Sequence, residues 1–499
     1  MFASTASSGA LRERSPNRRS APRPQAHEDE ARSHGPAIGR AYRTSAFFGT
    51  TTRRIERFLN RPRPVADTWG GSSLRREKNL HVAYEPFGGP WHSDPYPTYR
   101  ALREHDPVHF SPEAGCFCLS RYDDAVFVLR NPELFSSQAM QSVLNPLEKG
   151  SRWAQFLAVA EFLARTRLNP MRLQKTANLI TSDPPRHDAM RAVVSRGFTP
   201  RRIRVWEERA REITAACLEK LQRGSPFDVV QDLAIPLPVT IIAELLGVAP
   251  ERQLDFKRWS DAIVSSSTGS RRAYGMDRTV LRTVSDLYRY MRQVVAARRR
   301  RPGDDLVSVI VSGQAGEATL TDLEVFQFVI LLLVAGNETT TNLIGNAVQA
   351  LLDHPEQLEL VSENPALIPQ LVEETLRFDP PIQLLFRTAL RDVEIRGARI
   401  PKGAIVALLI GAANRDERRF PEADRFDVTR DATGHLAFGF GTHFCLGASL
   451  ARLEATAALG ALAPQLLRVT PADPERPRVD SFLIRGLTRL VLVPAKHTD

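Results

Sequence analysis

The segment from Thr321 to Leu352 constrains the fold more than any other stretch of this 499-residue chain. Thr321-Asp-Leu-Glu324 reads as a capping box, with Thr as N-cap and Glu at the third helical position. Apolar residues follow almost continuously to Val334. The helical pattern then runs on to Leu352, just before Asp353-His354-Pro355. A helix of this length would be about 48 Å long at about 1.5 Å per residue. A helix so long, and so apolar in its middle, has to cross a whole protein core. Its longest uninterrupted apolar run, Phe328 to Gly336, is nine residues. That is half of the ~18 that mark a membrane span, so no transmembrane anchor is expected. The centre, Ala335-Gly-Asn-Glu-Thr-Thr340, breaks the apolar pattern. Gly costs about 1 kcal/mol relative to Ala in a helix interior. A buried Glu and two Thr need partners or water. Two readings stay open from the helix alone: a kink where helices cross, or a polar notch facing a ligand.

Other segments also read as helices, among them Arg202–Arg223, Thr279–Arg300 and Leu446–Gln465. Strand-like runs are short: Cys116–Ser120, Ile405–Ile410 and Leu487–Val493. The expected class is therefore mainly α with small β-sheets. Residues 1–80 are rich in Arg, Ser and Pro and lack a sustained apolar period. They read as a disordered extension, and residues 81–499 as one large domain with order beginning near Pro86. Met1 to Gln25, with five Arg and the single acid Glu13, also has the composition of a transit peptide. No signal-peptide core is present, so a cytoplasmic location is expected.

The formal net charge of +10 suggests nucleic acid until it is located. Residues 1–80 carry 15 Arg and one Lys against seven acids; the remaining residues carry 51 basic and 50 acidic groups. A nearly neutral body is a poor nucleic-acid binder, and no nucleic-acid partner is expected. Four cysteines, Cys116, Cys118, Cys217 and Cys445, are too few for a disulfide scaffold. Cys116 and Cys118 alternate with Phe117 and Leu119 as in a core strand. Cys217 reads as structural too.

Cys445 is different. It lies in Phe438-Gly-Phe-Gly-Thr-His-Phe-Cys-Leu-Gly447, where three glycines imply a tight, close-approach backbone. A strong helical run follows at once, which puts the thiol at a helix N-terminus. Free amides and the helix dipole there favour thiolate. Such a thiolate can be a nucleophile, a redox sensor or a metal ligand.

The order Phe438, Gly439, Gly441, His443, Cys445, Gly447 resembles the haem-binding loop of the cytochrome P-450 superfamily. The resemblance covers roughly residues 85–495. It implies a cytochrome P-450 fold, with haem b between the long central helix and the Cys-bearing loop. Cys445 would be the axial thiolate on the iron, with backbone amides just after it tuning the sulfur. Glu374-Thr-Leu-Arg377 resembles the family's Glu-x-x-Arg helix, implying a buried structural ion pair. Asn414-Arg-Asp416, Phe420-Pro421 and Phe426-Asp427 resemble the loop that follows it. His187 and Arg191, at i and i+4, would face the haem propionates with Arg387 and His443. Ala335 and Gly336 would make room for dioxygen. Thr339 and Glu338 would be the catalytic pair, the hydroxyl binding oxygen and water and the acid relaying protons. The run Arg298–Arg301 becomes a helix C-terminal charge cluster, favoured by the dipole.

The implied activity is that of a soluble bacterial-type monooxygenase. It would insert one atom of O2 into a lipophilic small molecule by hydroxylation or epoxidation. Electrons from NAD(P)H would come through ferredoxin reductase and ferredoxin. The pocket would be lined by Val143–Asn178, Phe328 to Ala335, Ile382 to Leu385 and Phe482 to Ile484. A peroxide-driven peroxygenase of the same fold is one alternative, against which the Glu338–Thr339 pair speaks. A haem sensor or binding protein is the other. Two departures from the family stand out: the first 80 residues, and an unusually long Val143–Asn178. With Trp153, Phe156, Leu157, Phe162 and Leu163, the latter reads either as an amphipathic lid or as a surface helix packed on the body.

Overall fold

The computed structural model describes residues 82–495, apart from 89–92, 141–151, 170, 172–175, 177, 269–277 and 316–317. The extension expected over residues 1–80 lies outside the described residues. In chain order the elements used below are α1 (Tyr96–His105), β1 (Val108–Ser111), β2 (Cys116–Leu119), β3 (Phe135–Ser136), α2 (Arg152–Thr166), α3 (Arg186–Val194), α4 (Trp206–Gln222), α5 (Pro236–Leu245), α6 (Gln253–Thr268) and α7 (Arg278–Arg300). Then come α8 (Asp322–Asp353), α9 (Ile368–Phe378), β4 (Leu384–Ala389), β5 (Ile405–Leu409) and α10 (Ala448–Leu466).

The long central helix is α8, 32 residues from Asp322 to Asp353. Its capping box is formed on both sides. Thr321 Oγ1 accepts from the Glu324 amide at 3.3 Å, and the Thr321 amide donates to the Glu324 carboxylate at 2.9 Å. Arg186 of α3 pairs with Glu324 as well. The helix packs against α5, α6, α9 and α10. Among the described residues it is the one helix long and apolar enough to cross a membrane. Here that length is spent inside the core: every residue from Thr340 to Val348 is buried.

The polar side chains of α8 are matched where helices cross. Asn337 Nδ2 donates to Ser260 Oγ on α6 at 3.3 Å, and Thr341 Oγ1 to the Ala234 carbonyl at 2.8 Å. Asn346 Nδ2 donates to the carbonyls of Asp379 and Arg485, at 3.0 and 3.1 Å.

One five-stranded sheet stands to the side of the helices, in the order β1-β2-β5-β4-β3. β5 runs parallel to β2 and antiparallel to β4. Alternate residues serve opposite faces, as the period of two requires. Cys116 and Cys118 are buried on one face with Tyr84, Tyr99 and Phe386. Leu119, Val406 and Leu408 pack on the other, with Leu436 and Phe440 of the Cys445 region.

Two expected elements differ. The run Arg202–Arg223 is two helices, Pro200–Arg204 and α4, interrupted by a turn at Val205. The last strand is Val491–Pro494 rather than Leu487–Val493. Residues ahead of it are held singly: Leu487 bridges Arg478, and the Leu490 carbonyl accepts from Val229 N at 2.9 Å.

Within Val143–Asn178, α2 is packed on the body. Ala158 and Phe162 bury themselves against Leu281 of α7. Glu161 accepts from Arg278 and Arg282 of the same helix, both at 2.5 Å. Leu157 stays exposed. The side chains of Trp153 and Phe156 lie outside the described residues.

Candidate active site

The Cys445 loop needs its glycines for two separate reasons. Gly439 and Gly441 have φ of +69° and +70°, a region that costs other residues steric strain. A side chain on Gly441 would also put its Cβ 2.7 Å from the Leu129 carbonyl. The loop closes on itself where Cys445 N donates to the Phe438 carbonyl at 2.8 Å. Beyond it, Gly447 caps α10. The Cys445 sulfur faces the amides of Gly447 and Ala448, in the manner expected of an axial thiolate. The expectation that the helix end alone would favour thiolate needs correcting. Burial raises the thiol above its usual range, and those amides, with Arg191 and Arg452, offset only part of the rise.

Below the loop lies the Glu374–Arg377 pair of α9, both side chains fully buried. Arg377 Nε and Nη2 reach the two carboxylate oxygens at 2.7 and 2.8 Å. The remaining donors of Arg377 go to the carbonyls of Asn414, Ala423 and Arg425. Glu374 accepts in turn from the Asp427 amide. Asn414 carries the tie forward, accepting from Leu436 N at 2.7 Å just ahead of the Cys445 loop. A buried ion pair is worth keeping only when every lone pair and proton is matched, and here each is.

Sequence reasoning missed a second brace. Glu373, next to Glu374 on another face of α9, accepts from Arg452 Nε at 2.5 Å and from His435 Nε2 at 3.2 Å. Burial works against this carboxylate, yet Arg452 and His435 hold it down to about 2. Arg452 then lies over the Phe438 ring, 4.5 Å from its centre. Nothing in the spacing singles out Glu373, because its partners come from two distant segments.

Four basic side chains converge beside the loop. His187 and Arg191 come from α3, Arg387 from β4, and His443 from the loop itself. The rings of His187 and His443 are 4.1 Å apart, centre to centre. Both Nε2 atoms are buried with no hydrogen-bond partner. Burial lowers Arg387 to about 10 and lowers Arg191 as well. His443 falls to about 3 through burial and the neighbouring His187, Arg387 and Arg191. It is therefore neutral at physiological pH, offering an N–H rather than the cation expected of it. Two arginines and two unpaired imidazole nitrogens suit a ligand that brings two carboxylates.

On α8, Ala335 is exposed and Glu338 and Thr339 are partly open, in the middle of a buried helix. The polar centre is thus both a helix crossing and a notch, through different faces. Thr339 Oγ1 donates to the Ala335 carbonyl at 2.6 Å, which leaves its lone pairs free to accept. Burial raises Glu338 to about 7, poised between acid and base at neutral pH. Gly336 plays a different part from the one expected. A Cβ there would lie 2.9 Å from Ile242 Cδ1, so its small size lets α5 approach. Ala335 is the small residue that faces the opening. Of the segments expected to line a pocket, two are stitched together: Ile382 bridges Ile484, and Gln383 N donates to the Leu483 carbonyl at 2.9 Å.

Comparison with known proteins matches this architecture. The family model for cytochrome P450 covers residues 157–478. Cytochrome P450 109 of Bacillus spizizenii is 37% identical over 405 residues, spanning 79% of this chain and 91% of that one. The vitamin D(3) 25-hydroxylase of Pseudonocardia autotrophica is 38% identical over 415 residues, 82% of this chain and 95% of its own. The crystal structure of CYP109E1 from Bacillus megaterium in complex with corticosterone superposes with a TM-score of 0.69 at 32% identity, covering 80% of this chain and 98% of that one. The chain belongs to the cytochrome P450 family, whose members bind haem and are monooxygenases acting on small molecules. It is most similar to bacterial members, the P450 109 group among them.

Proposed function

We propose that this chain is a cytoplasmic haem-thiolate monooxygenase, with residues 81–499 as its catalytic domain. It inserts one atom of O2 into a lipophilic small molecule. The observation that carries this reading is the donor set around the Cys445 loop. One sulfur sits under two amides, and two unpaired imidazole nitrogens lie beside two arginines. That set fits haem b, with Cys445 as the iron ligand and His187, Arg191, Arg387 and His443 toward the propionates. Phe438, Gly439 and Gly447 shape the face beneath the ring, and Ala335 and Gly336 belong to the face above it. When bound, the haem supplies the redox chemistry of oxygen activation.

The chain's own residues do the rest. Glu338 holds a proton near neutrality and can pass it toward Thr339, whose oxygen is free to accept it. The apolar stretch Phe328–Val334 and the paired turns at Ile382–Leu385 and Phe482–Ile484 exclude water and receive the substrate. Two relatives fit a sterol-like shape: one is named for vitamin D3, and one was crystallised with corticosterone.

Electrons come from NAD(P)H through a ferredoxin reductase and a ferredoxin. The ferredoxin docks on the Cys445 side, where Phe444, Arg130 and Arg419 are exposed. Such docking weakens as salt rises. The test of the whole reading is a titration of the ferric holoprotein with steroids, terpenoids, fatty acids and macrolides, watching the haem spin state. A saturable low-to-high-spin shift with one class, followed by NAD(P)H-coupled oxidation of it, is the expected result. Spin shifts without any coupled product would turn the reading toward a haem sensor.

A further inference from the structure

The burial of α8 changes twice along its length. Leu323 to Phe326 are buried, and so is everything from Thr340 to Val348. Between them the helix is partly open on one side, from Gln327 to Thr339. Gln327, Leu331, Val334 and Glu338 follow one another at steps of four, three and four, which stacks them along one helix face. All four are partly open. This face is the wall of the cavity whose chemical end is Ala335–Thr339. Gln327 marks its far end, eight residues and about 12 Å along the axis from Ala335, at about 1.5 Å per residue.

A primary amide is out of place there. Its helix neighbours are Phe326, Phe328 and Leu331. Its Oε1 is buried and has no hydrogen-bond partner. An unpaired buried polar atom costs about 1–3 kcal/mol, so a position with no polar task would be better filled by Leu or Met. The terminal torsion of Gln is broad and roughly two-fold, so a turn of the amide brings the oxygen to the cavity side.

We propose that Gln327 is a specificity-determining residue. Its amide oxygen accepts a hydrogen bond from a hydroxyl at the far end of an elongated, rigid, apolar substrate, about 12 Å from the carbon that is oxidised. This deepens the monooxygenase reading above and rests on it. The apolar wall supplies affinity, and the amide fixes which end of the molecule points toward Thr339.

The test uses the haem-loaded enzyme and two rigid probes differing in one group, 5α-androstan-3β-ol and 5α-androstane. Dissociation constants are read from the haem spin shift for the wild type, Gln327→Met and Gln327→Glu. The ratio of the alkane's constant to the alcohol's should fall about five- to tenfold in Gln327→Met, as for one lost hydrogen bond. Gln327→Glu keeps an acceptor oxygen and should keep most of the ratio. An intact carbon monoxide spectrum shows that each variant is folded around its haem. The same ratio in wild type and Gln327→Met, with both probes binding, overturns the role of Gln327. No spin shift with either probe in the wild type instead overturns the lipophilic-substrate reading beneath it.

Discussion

Replacing Glu454 by Gln should stabilise the protein, and by more as pH rises. Glu454 lies on α10, fully buried, with Oε1 lacking any hydrogen-bond partner. Burial raises its carboxyl from an ordinary 4.5 to about 8, and the Thr340 hydroxyl offsets a little of that. A carboxyl with a raised folded pKa is held as the neutral acid. Between the two values the native state therefore binds more protons than the unfolded one. Its stability is complete below the unfolded value and drains away as pH climbs toward the folded one. Each pH unit in that window removes about 1.4 kcal/mol, so a rise from about pH 5.5 to 7.5 removes roughly 3 kcal/mol. Gln is neutral throughout and feels none of this. The unfolding entropy is about 2.1 cal/mol/K per residue, or nearly 0.9 kcal/mol/K over roughly 400 residues, so 3 kcal/mol is about 3 °C in Tm. The assay is thermal unfolding of the holoprotein and of E454Q from about pH 5.5 to 8.5. The Tm difference should widen by about 3 °C over the lower two units and level off above pH 8. Any strain from the new amide group shifts the difference equally at every pH, and Glu338 titrates in both proteins and cancels. A difference that stays constant with pH would refute the argument.

Thr339→Ala should leave haem binding intact but uncouple turnover. Product formed per NAD(P)H should fall about fivefold or more, and hydrogen peroxide should rise, because one positioned hydrogen bond is lost; unchanged coupling would remove Thr339 from its role. Glu338 sits near 7, so the form able to donate a proton is present below that value and disappears above it. Product formation in the wild type should therefore decline as pH rises through about 7, while Glu338→Gln is slower by ~100-fold and has lost that inflection. Cys445→Ala should abolish the thiolate signature in the carbon monoxide spectrum; a retained signature would mean that another residue ligates the iron. Arg377→Leu strips Glu374 of its partner deep in the core and should cost about 3–5 kcal/mol, seen as a large fall in yield of folded holoprotein.

What could be read from the chain, and what could not, divides along one physical line. The central helix was legible because its signals are local: a capping box three residues long and an apolar period that never changes phase. The Cys445 loop was legible because positive φ restricts residue choice at Gly439 and Gly441. The Glu374–Arg377 pair was visible as a spacing, but not its burial, since i and i+3 charges look the same on a surface. What escaped was whatever depends on a neighbour from elsewhere in the chain. Gly336 looked like room for a ligand until Ile242 of α5 was seen against it. His443 looked like a cation until His187 and two arginines were placed around it in a buried site. Glu373 and Glu454 looked like ordinary helix-surface acids. One is clamped by Arg452 and His435; the other is sealed in the core against Thr340. Nearest-neighbour spacing fixes which groups share a face, but the charge a group carries is set by what the fold packs against that face.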